Sequence, residues 1–353
     1  MLFSAILIAA VLSLGELAVR VYANYFRTPY ERYNPTTGRL ELVPNLRQVR
    51  RDGSEMVTNS RGFLGLEFDP NPPADVYRIM AVGDSCTFFD GFWRRSYPGI
   101  LHDYLNRAAG GPRFEVINAG IEGYNSTFAR ERIEQELIAY RPRLVLLYVG
   151  WNDLMKVDPR NAAAVGRYAW VGNLLERSYL VRAYRKVMFI YLRPLLFRPK
   201  TAIDTADSRA YDDFVPATYE GNLGAIVQRL RQSGIQSMLF TLPTVVRPGM
   251  TGEELDKRHV FFPYFAGTYS VGEFLSLHRA YNASVRRVGT ALDVPVLDLE
   301  AVFNARDKDE LFWDTMHPSQ KGQCLIAREL YARLAPSLGL TADAPRDDAK
   351  ICR

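Results

Sequence analysis

Cysteine is scarce in this 353-residue chain, which holds only Cys86, Cys324 and Cys352. Three residues so widely spaced suggest neither a disulfide framework nor a zinc site, and they say little about redox compartment. No zinc-finger spacing, RNP motif or recognition-helix signature occurs. A strong excess of charge is also missing. Lys and Arg total 44 against 39 Asp and Glu, a net charge of +5. Such a balance suits an anionic membrane surface or a polyanionic glycan and does not indicate nucleic acid. Internal repeats and low-complexity tracts are absent. What is present is ordinary for a globular chain with a sizeable core, 48% hydrophobic and 24% charged. The length fits one large α/β domain with insertions or two smaller domains.

The N-terminal stretch MLFSAILIAAVLSLGELAVRVY has no polar face and no Lys or Arg ahead of its apolar core, Leu2 to Leu14. Its length approaches the roughly 17–25 residues of a spanning helix. An uncleaved signal-anchor (1–23) competes with a signal peptide cleaved after Val21-Tyr22-Ala23. Glu16 and Arg20 fall where a cleavable leader is neutral, which favours the anchor. Arg20, Arg27 and Arg32 follow the helix and, counted alone, would hold the body on the cytoplasmic side. Residues 24–75 are polar and weakly periodic and read as a stalk, with a short hairpin within ELVPNLRQVRRDGSEMVTNSRGF.

From 76 to 340 apolar runs alternate with helical patterns, as in βαβ units. The strand candidates are YRIMAV (77–82), FEVIN (114–118), RLVLLYVG (143–150), QSMLFTL (236–242) and VPVLDL (294–299). Continuous apolar runs imply strands buried on both faces, hence a parallel sheet covered by helices. Helical stretches lie between them, at SYPGILHDYLNRA, TFARERIEQELIAY, YEGNLGAIVQRLRQS and FLSLHRAYNASVRRVGTAL. A basic, aromatic-rich insertion at 155–220 breaks the alternation. It reads either as a helix lying on an anionic membrane or over the site, or as one packed on the body with its charge solvated. The tail, 341–353, is polar and expected to fray.

Four short motifs fall at the carboxyl ends of these strands, where open parallel sheets bind ligands. They are Gly83-Asp84-Ser85, Asn118-Ala119-Gly120-Ile121-Glu122-Gly123-Tyr124-Asn125, Gly150-Trp151-Asn152-Asp153 and Asp314-Thr315-Met316-His317-Pro318. A serine hydroxyl needs a base to take its proton, and a histidine oriented by a carboxylate is such a base near neutral pH. Asp314 and His317, three apart, can share one side of a turn. The N–H groups of Ser85 and Gly123 and the Asn152 amide are candidate oxyanion donors. Phe89 is a candidate substrate contact; Tyr124, Asn125 and Trp151 are read equally as substrate contacts or as local packing. Asp84 and Asp153 are expected to hold loops. His102 and His278 are read as surface or packing residues, and His259 as a possible lining of the cleft.

Each motif alone is a common turn; their conjunction in this order resembles the SGNH hydrolase superfamily of GDSL esterases and lipases. The resemblance runs from about Tyr77 to Ala335 and includes Asn59-Ser60-Arg61-Gly62-Phe63, typical of membrane-anchored members. It implies a three-layer αβα fold with a flavodoxin-like sheet of about five parallel strands. It also implies acyl-ester hydrolysis or acyl transfer through an acyl-serine, with no metal or organic cofactor. The matching residues are Ser85, Gly123, Asn152 and His317, with Asp314 completing a triad. Related sequences carry an aromatic residue where Cys86 stands and a glycine where Phe89 stands. Phe89 is therefore expected to narrow the acyl site toward a small group such as acetyl, and Cys86 to be a buried small hydrophobe rather than a rival nucleophile.

Three functions follow as expectations. The first is a membrane-anchored, extracytoplasmic esterase acting on an O-acyl group of a glycan or an acylated small molecule. The second is an O-acetyltransferase modifying an exported polysaccharide, and the third a non-catalytic tethered module. Oligomeric state is not legible.

Overall fold

A computed structural model of the chain describes residues 2–25, 30–34, 36–49, 54–108, 113–157, 159, 178–187, 208–262, 270–341, 343 and 352. Its first elements are α1 (Leu2–Tyr25), β1 (Glu31–Asn34), β2 (Arg39–Leu42), β3 (Arg47–Val49), β4 (Glu55–Val57) and β5 (Val76–Gly83). There follow α2 (Ser85–Phe88), α3 (Tyr97–Arg107), β6 (Arg113–Asn118), α4 (Ser126–Gln135), β7 (Leu144–Tyr148), α5 (Trp151–Lys156) and α6 (Tyr179–Lys186). The last are α7 (Ala217–Gln232), β8 (Gln236–Phe240), α8 (Gly252–Lys257), α9 (Val271–Ala291), β9 (Val296–Leu297), α10 (Leu299–Asn304) and α11 (Gln320–Leu334). Two compact units result. One comprises Met1–Val43 and Asp158–Ala202, the other Pro44–Val157 and Ile203–Arg353.

The larger unit is built on a five-stranded parallel sheet in the order β6-β5-β7-β8-β9. By chain order this is a doubly wound, flavodoxin-like sheet whose order reverses between β5 and β7. Every residue of β7, LVLLY, is buried, because helices cover both faces. On one side α3 packs with α11; on the other α7 packs with α4 and α9. This is the expected αβα fold.

The outer edge of β6 is closed rather than left as an open template for pairing. The Asn106 side chain donates to Phe114 O (2.9 Å) and accepts from Phe114 N (3.3 Å), and Leu64 bridges Asn118. Residues 54–75, expected as part of a stalk and entry segment, thus pack within this unit. Asn59 supplies the reason: its Oδ1 accepts from Arg61 N and Phe63 N, both 3.0 Å, which folds the segment locally. Phe63 is then buried, 5.5 Å from the rings of Phe68 and Tyr140, with the Arg132 guanidinium 4.9 Å away. The expected hairpin is β3–β4, in register Gln48↔Met56.

In the smaller unit β1 pairs antiparallel with β2, and α1 packs with α6. Glu16 accepts from Ser178 Oγ (2.7 Å), Tyr179 N (3.0 Å), Leu180 N (2.8 Å) and Arg20 Nε (2.7 Å). The two charges that interrupt the apolar helix therefore have partners, and the uncharged run ends at Gly15. Among the described residues no helix is long and apolar enough to cross a membrane, so the expected spanning anchor is not supported. The side chains of Phe3, Ile6, Leu7, Ile8, Val11, Leu12 and Leu14 are nonetheless more than half exposed. Of the basic insertion, 160–177 and 188–207 lie outside the described residues.

The cysteines depart from expectation. Cys324 on α11 and Cys352 in the tail form a disulfide, with Cα atoms 5.8 Å apart, and Cys86 is free and buried. Sequence spacing alone carries no geometry, which is why the pair was not foreseen. Closing a loop over a separation of 28 residues contributes up to about 3–4 kcal/mol in the chain-entropy account. Cys352→Ser is expected to lower the urea midpoint accordingly. The unreduced, denatured wild type should alkylate at one thiol only. An unchanged midpoint with three reactive thiols would contradict the pairing.

Candidate active site

β5 ends at Gly83, where a Cβ would collide with Thr87 Oγ1 and the Tyr148 carbonyl. Only glycine lets the chain turn this tightly into α2. Asp84 caps the turn, its Oδ1 accepting from Cys86 N at 2.9 Å. Ser85 is thereby held at the carboxyl end of a strand that flanks the reversal of sheet order. Burial pushes the Asp84 carboxyl up to about 6, against the Cys86 N–H bond and the charge of His317, which pull it down.

Ser85 Oγ lies 2.7 Å from His317 Nε2, and His317 Nδ1 lies 2.7 Å from Asp314 Oδ2. Asp314 Oδ1 also accepts from Met316 N (3.0 Å) and His317 N (2.9 Å), so one carboxylate shapes the turn and orients the ring. With the proton on Nδ1, assigned from that contact, Nε2 presents a lone pair to the serine O–H. The buried Thr315 fixes the turn beneath, donating to Phe261 O (2.8 Å) and accepting from Phe261 N (2.7 Å). Burial alone would raise the Asp314 carboxyl, but the hydrogen bond and charge of His317 and the two N–H groups hold it below its usual range. Burial alone would lower His317, but the bond and charge of Asp314 hold it above its ordinary 6.5.

The strands on either side of β5 bring the other candidates. Gly123 follows β6 with φ 73°, a left-handed position, and a Cβ there would meet nothing within 4 Å. Ile121 N donates to Gly83 O (3.2 Å), tying this loop to the turn before Ser85. Asn152 opens α5 after β7, and its Nδ2 donates to Tyr124 O at 3.0 Å, which joins the two loops and leaves a second N–H on the same amide. Asp153 accepts from Ser126 N (2.8 Å) and Ser126 Oγ (2.6 Å), holding the start of α4, and burial pushes its carboxyl up to about 6. Among the described residues no group of three or more His, Cys, Asp or Glu side chains is arranged to hold a metal ion.

The sequence model of the GDSL-like Lipase/Acylhydrolase family matches residues 81–325. The chain belongs to this family. It is accordingly a GDSL-type hydrolase. No curated protein matches it. Similar solved structures include an acetylxylan esterase mutant from Geobacillus stearothermophilus, at 17% identity over 76% of this chain and 97% of that one, TM-score 0.45. Another is an α/β hydrolase from the metagenome of Lake Arreo, Spain, at 16% identity over 72% and 94%, TM-score 0.45. A third is an acetyl xylan esterase at 17% identity over 73% and 99%, TM-score 0.43.

Around this GDSL site the residues next to the motifs are packed into the body. Trp151 is fully buried and stacks on His278 at 5.5 Å, and Tyr124 is buried with its ring 5.7 Å from Phe128. The strand-to-helix turns direct both side chains inward. Asn125 caps α4, accepting from Phe128 N at 3.0 Å. Cys86 is buried, its thiol pushed well up by burial and the nearby carboxylates of Asp84 and Asp314. Its Sγ donates to Met316 O at 3.5 Å.

Phe89 occupies an unusual backbone. It, Asp90 and Gly91 have φ of 49°, 52° and 80°, three successive left-handed residues of which two carry side chains. Each such non-glycine residue costs about 1–2 kcal/mol. The buried Phe89 ring stacks on Trp313 at 5.0 Å, and Trp313 is 44% exposed. Trp313 was not singled out from sequence, although its place immediately before Asp314 is a signal.

Because His317 must lose its proton before Nε2 can accept one from Ser85, kcat/KM should rise with pH through a midpoint above 6.5. Asp314→Asn should move that limb to lower pH and cut kcat by up to about 10⁴-fold. A wild-type midpoint at or below 6.5 would contradict the coupling. Asn152→Ala should cost about 10²–10³ in kcat if its amide stabilises an oxyanion, and a variant within twofold of wild type would remove it from that role.

Proposed function

We propose that the protein is a serine esterase that removes a small O-acyl group, an acetyl in particular, from a carbohydrate through an acyl-serine intermediate. Ser85 Oγ attacks the ester carbonyl as His317 Nε2 takes its proton, with Asp314 holding the ring and stabilising its charge. The oxyanion meets the N–H groups of Ser85 and Gly123 and the Asn152 amide. His317 then protonates the departing sugar oxygen. A water, deprotonated by the same ring, then attacks the acyl carbon; the bond to Ser85 Oγ breaks and His317 returns the proton to that oxygen. The observation that carries this reading is the unbroken Ser85–His317–Asp314 contact chain, 2.7 Å at each step.

The small acyl group is supported by Phe89, a bulky buried residue that follows one turn after the nucleophile. The carbohydrate is supported by Trp313, whose partly exposed face beside Asp314 suits stacking against a sugar ring. An extracytoplasmic location is supported by the Cys324–Cys352 disulfide, a bond that persists in oxidising compartments. The exposed apolar surface of α1 is the proposed point of membrane attachment.

Hydrolysis of p-nitrophenyl acetate is expected to exceed that of the octanoate, and Ser85→Ala should abolish both, by about 10³-fold or more. Faster octanoate turnover would overturn the small-acyl reading. With an acetyl donor and a glycan acceptor together, free acetate supports the esterase, whereas acetylated glycan would assign acyl transfer. A periplasmic reporter fused after Arg353 should be active; activity of a cytoplasmic reporter instead would overturn the location.

A further inference from the structure

Ser85 and His317 lie 232 positions apart in the chain, on segments that follow β5 and precede α11. Their separation depends on whatever ties those two segments together. α2 is a single turn, so most of its carbonyls need partners from outside it. Ser85 O accepts from Phe89 N, and Thr87 O accepts from Asn118 Nδ2 at 2.8 Å. Cys86 O, next to the nucleophile, accepts from Gln323 Nε2 at 2.9 Å. The other end of that amide, Oε1, accepts from Tyr97 N at 2.8 Å, at the start of α3. Gln323 is 0% exposed, and each end of its amide meets a backbone group.

Gln323 stands on the same helix that His317 leads into. One turn earlier, Gln320 ties α11 to Arg95, just ahead of α3, donating to Arg95 O (2.9 Å) and accepting from Arg95 Nε (2.8 Å). The start of α11 is itself pinned to the segment that leads into the histidine turn. Ser319 Oγ donates to Glu310 O (2.5 Å), Ser319 N to Leu311 O (2.8 Å), and a Cβ on Gly322 would collide with Leu311 O. A short, buried path therefore runs from His317 along α11 to Gln323, across to Cys86 O, and back one residue to Ser85.

We infer that Gln323 is a positioning residue for the proposed acyl transfer, setting the Ser85–His317 distance by holding the Cys86 carbonyl. The inference rests on the esterase reading. It touches no substrate, so its loss should slow chemistry without weakening binding; a displacement of about 1 Å in such a site costs on the order of 10² in rate.

Gln323→Met keeps the length and volume of the side chain and removes both polar ends. On p-nitrophenyl acetate its kcat should fall by about 10–100-fold with KM within about twofold, and its rate of phosphonylation by a fluorophosphonate, with loss of fluoride, should fall by the same factor. Asn106→Ala, which removes bonds at the β6 edge, serves as the destabilised control with kcat unchanged. Gln323→Glu keeps the acceptor for Tyr97 N and stands in should the Met variant not fold, with the same loss of kcat expected. A kcat at the wild-type level, or a loss no greater than that of Asn106→Ala at matched melting temperature, would overturn the inference alone. Turnover retained by Ser85→Ala would instead overturn the esterase reading beneath it.

Discussion

The contact between Ser85 Oγ and His317 Nε2 is the one on which the arrangement of the larger unit converges. Each partner is fixed from its own side. Ser85 is placed by the end of β5, the tight passage at Gly83 and the cap of Asp84. His317 is placed by the Asp314 carboxylate, which accepts from the ring and from two N–H groups of its own turn. Electrostatics then makes the pair useful. The same carboxylate that orients the ring raises its basicity, so the hydroxyl faces a base stronger than a free imidazole. Sheet topology brings β6 and β7 to either side of β5, and their loops supply Gly123 and Asn152.

The surroundings carry a local cost. Three successive left-handed residues after α2 are held by a buried ring stacked on Trp313. Strain of this kind persists only where packing over-determines it, and it is a recurrent feature of functional sites. Here it turns Phe89 inward as the support for an exposed aromatic face, beside the turn that carries Asp314 and His317.

Much of the fold could be read from the chain because parallel strands buried on both faces leave continuous apolar runs. YRIMAV and RLVLLYVG correspond to β5 and β7, whereas VPVLDL shortens to the two residues of β9, a strand paired on one side only. Ser85, Asp314 and His317 were legible because each sits in a short motif at a strand end or turn, and the structure brings them together. Contacts across the sequence were not legible. Gln323 reads as any polar residue of an amphipathic helix, yet it meets Cys86 across 237 positions. Tyr124 and Trp151 stayed open between contact and packing because adjacency to a motif does not say which way a turn directs its neighbour. Residues 54–75 show weak periodicity, so their packing through the Asn59 turn was invisible.

The two units pose different physical questions: the larger one how a hydroxyl is activated, the smaller one how a helix with exposed apolar side chains is accommodated. The first is open to a direct measurement. After reaction with a fluorophosphonate, peptide mass spectrometry should place one adduct on Ser85, and His317→Ala should abolish it in protein that remains folded. An adduct on Cys86 or any other residue, or undiminished labelling without His317, would contradict the account.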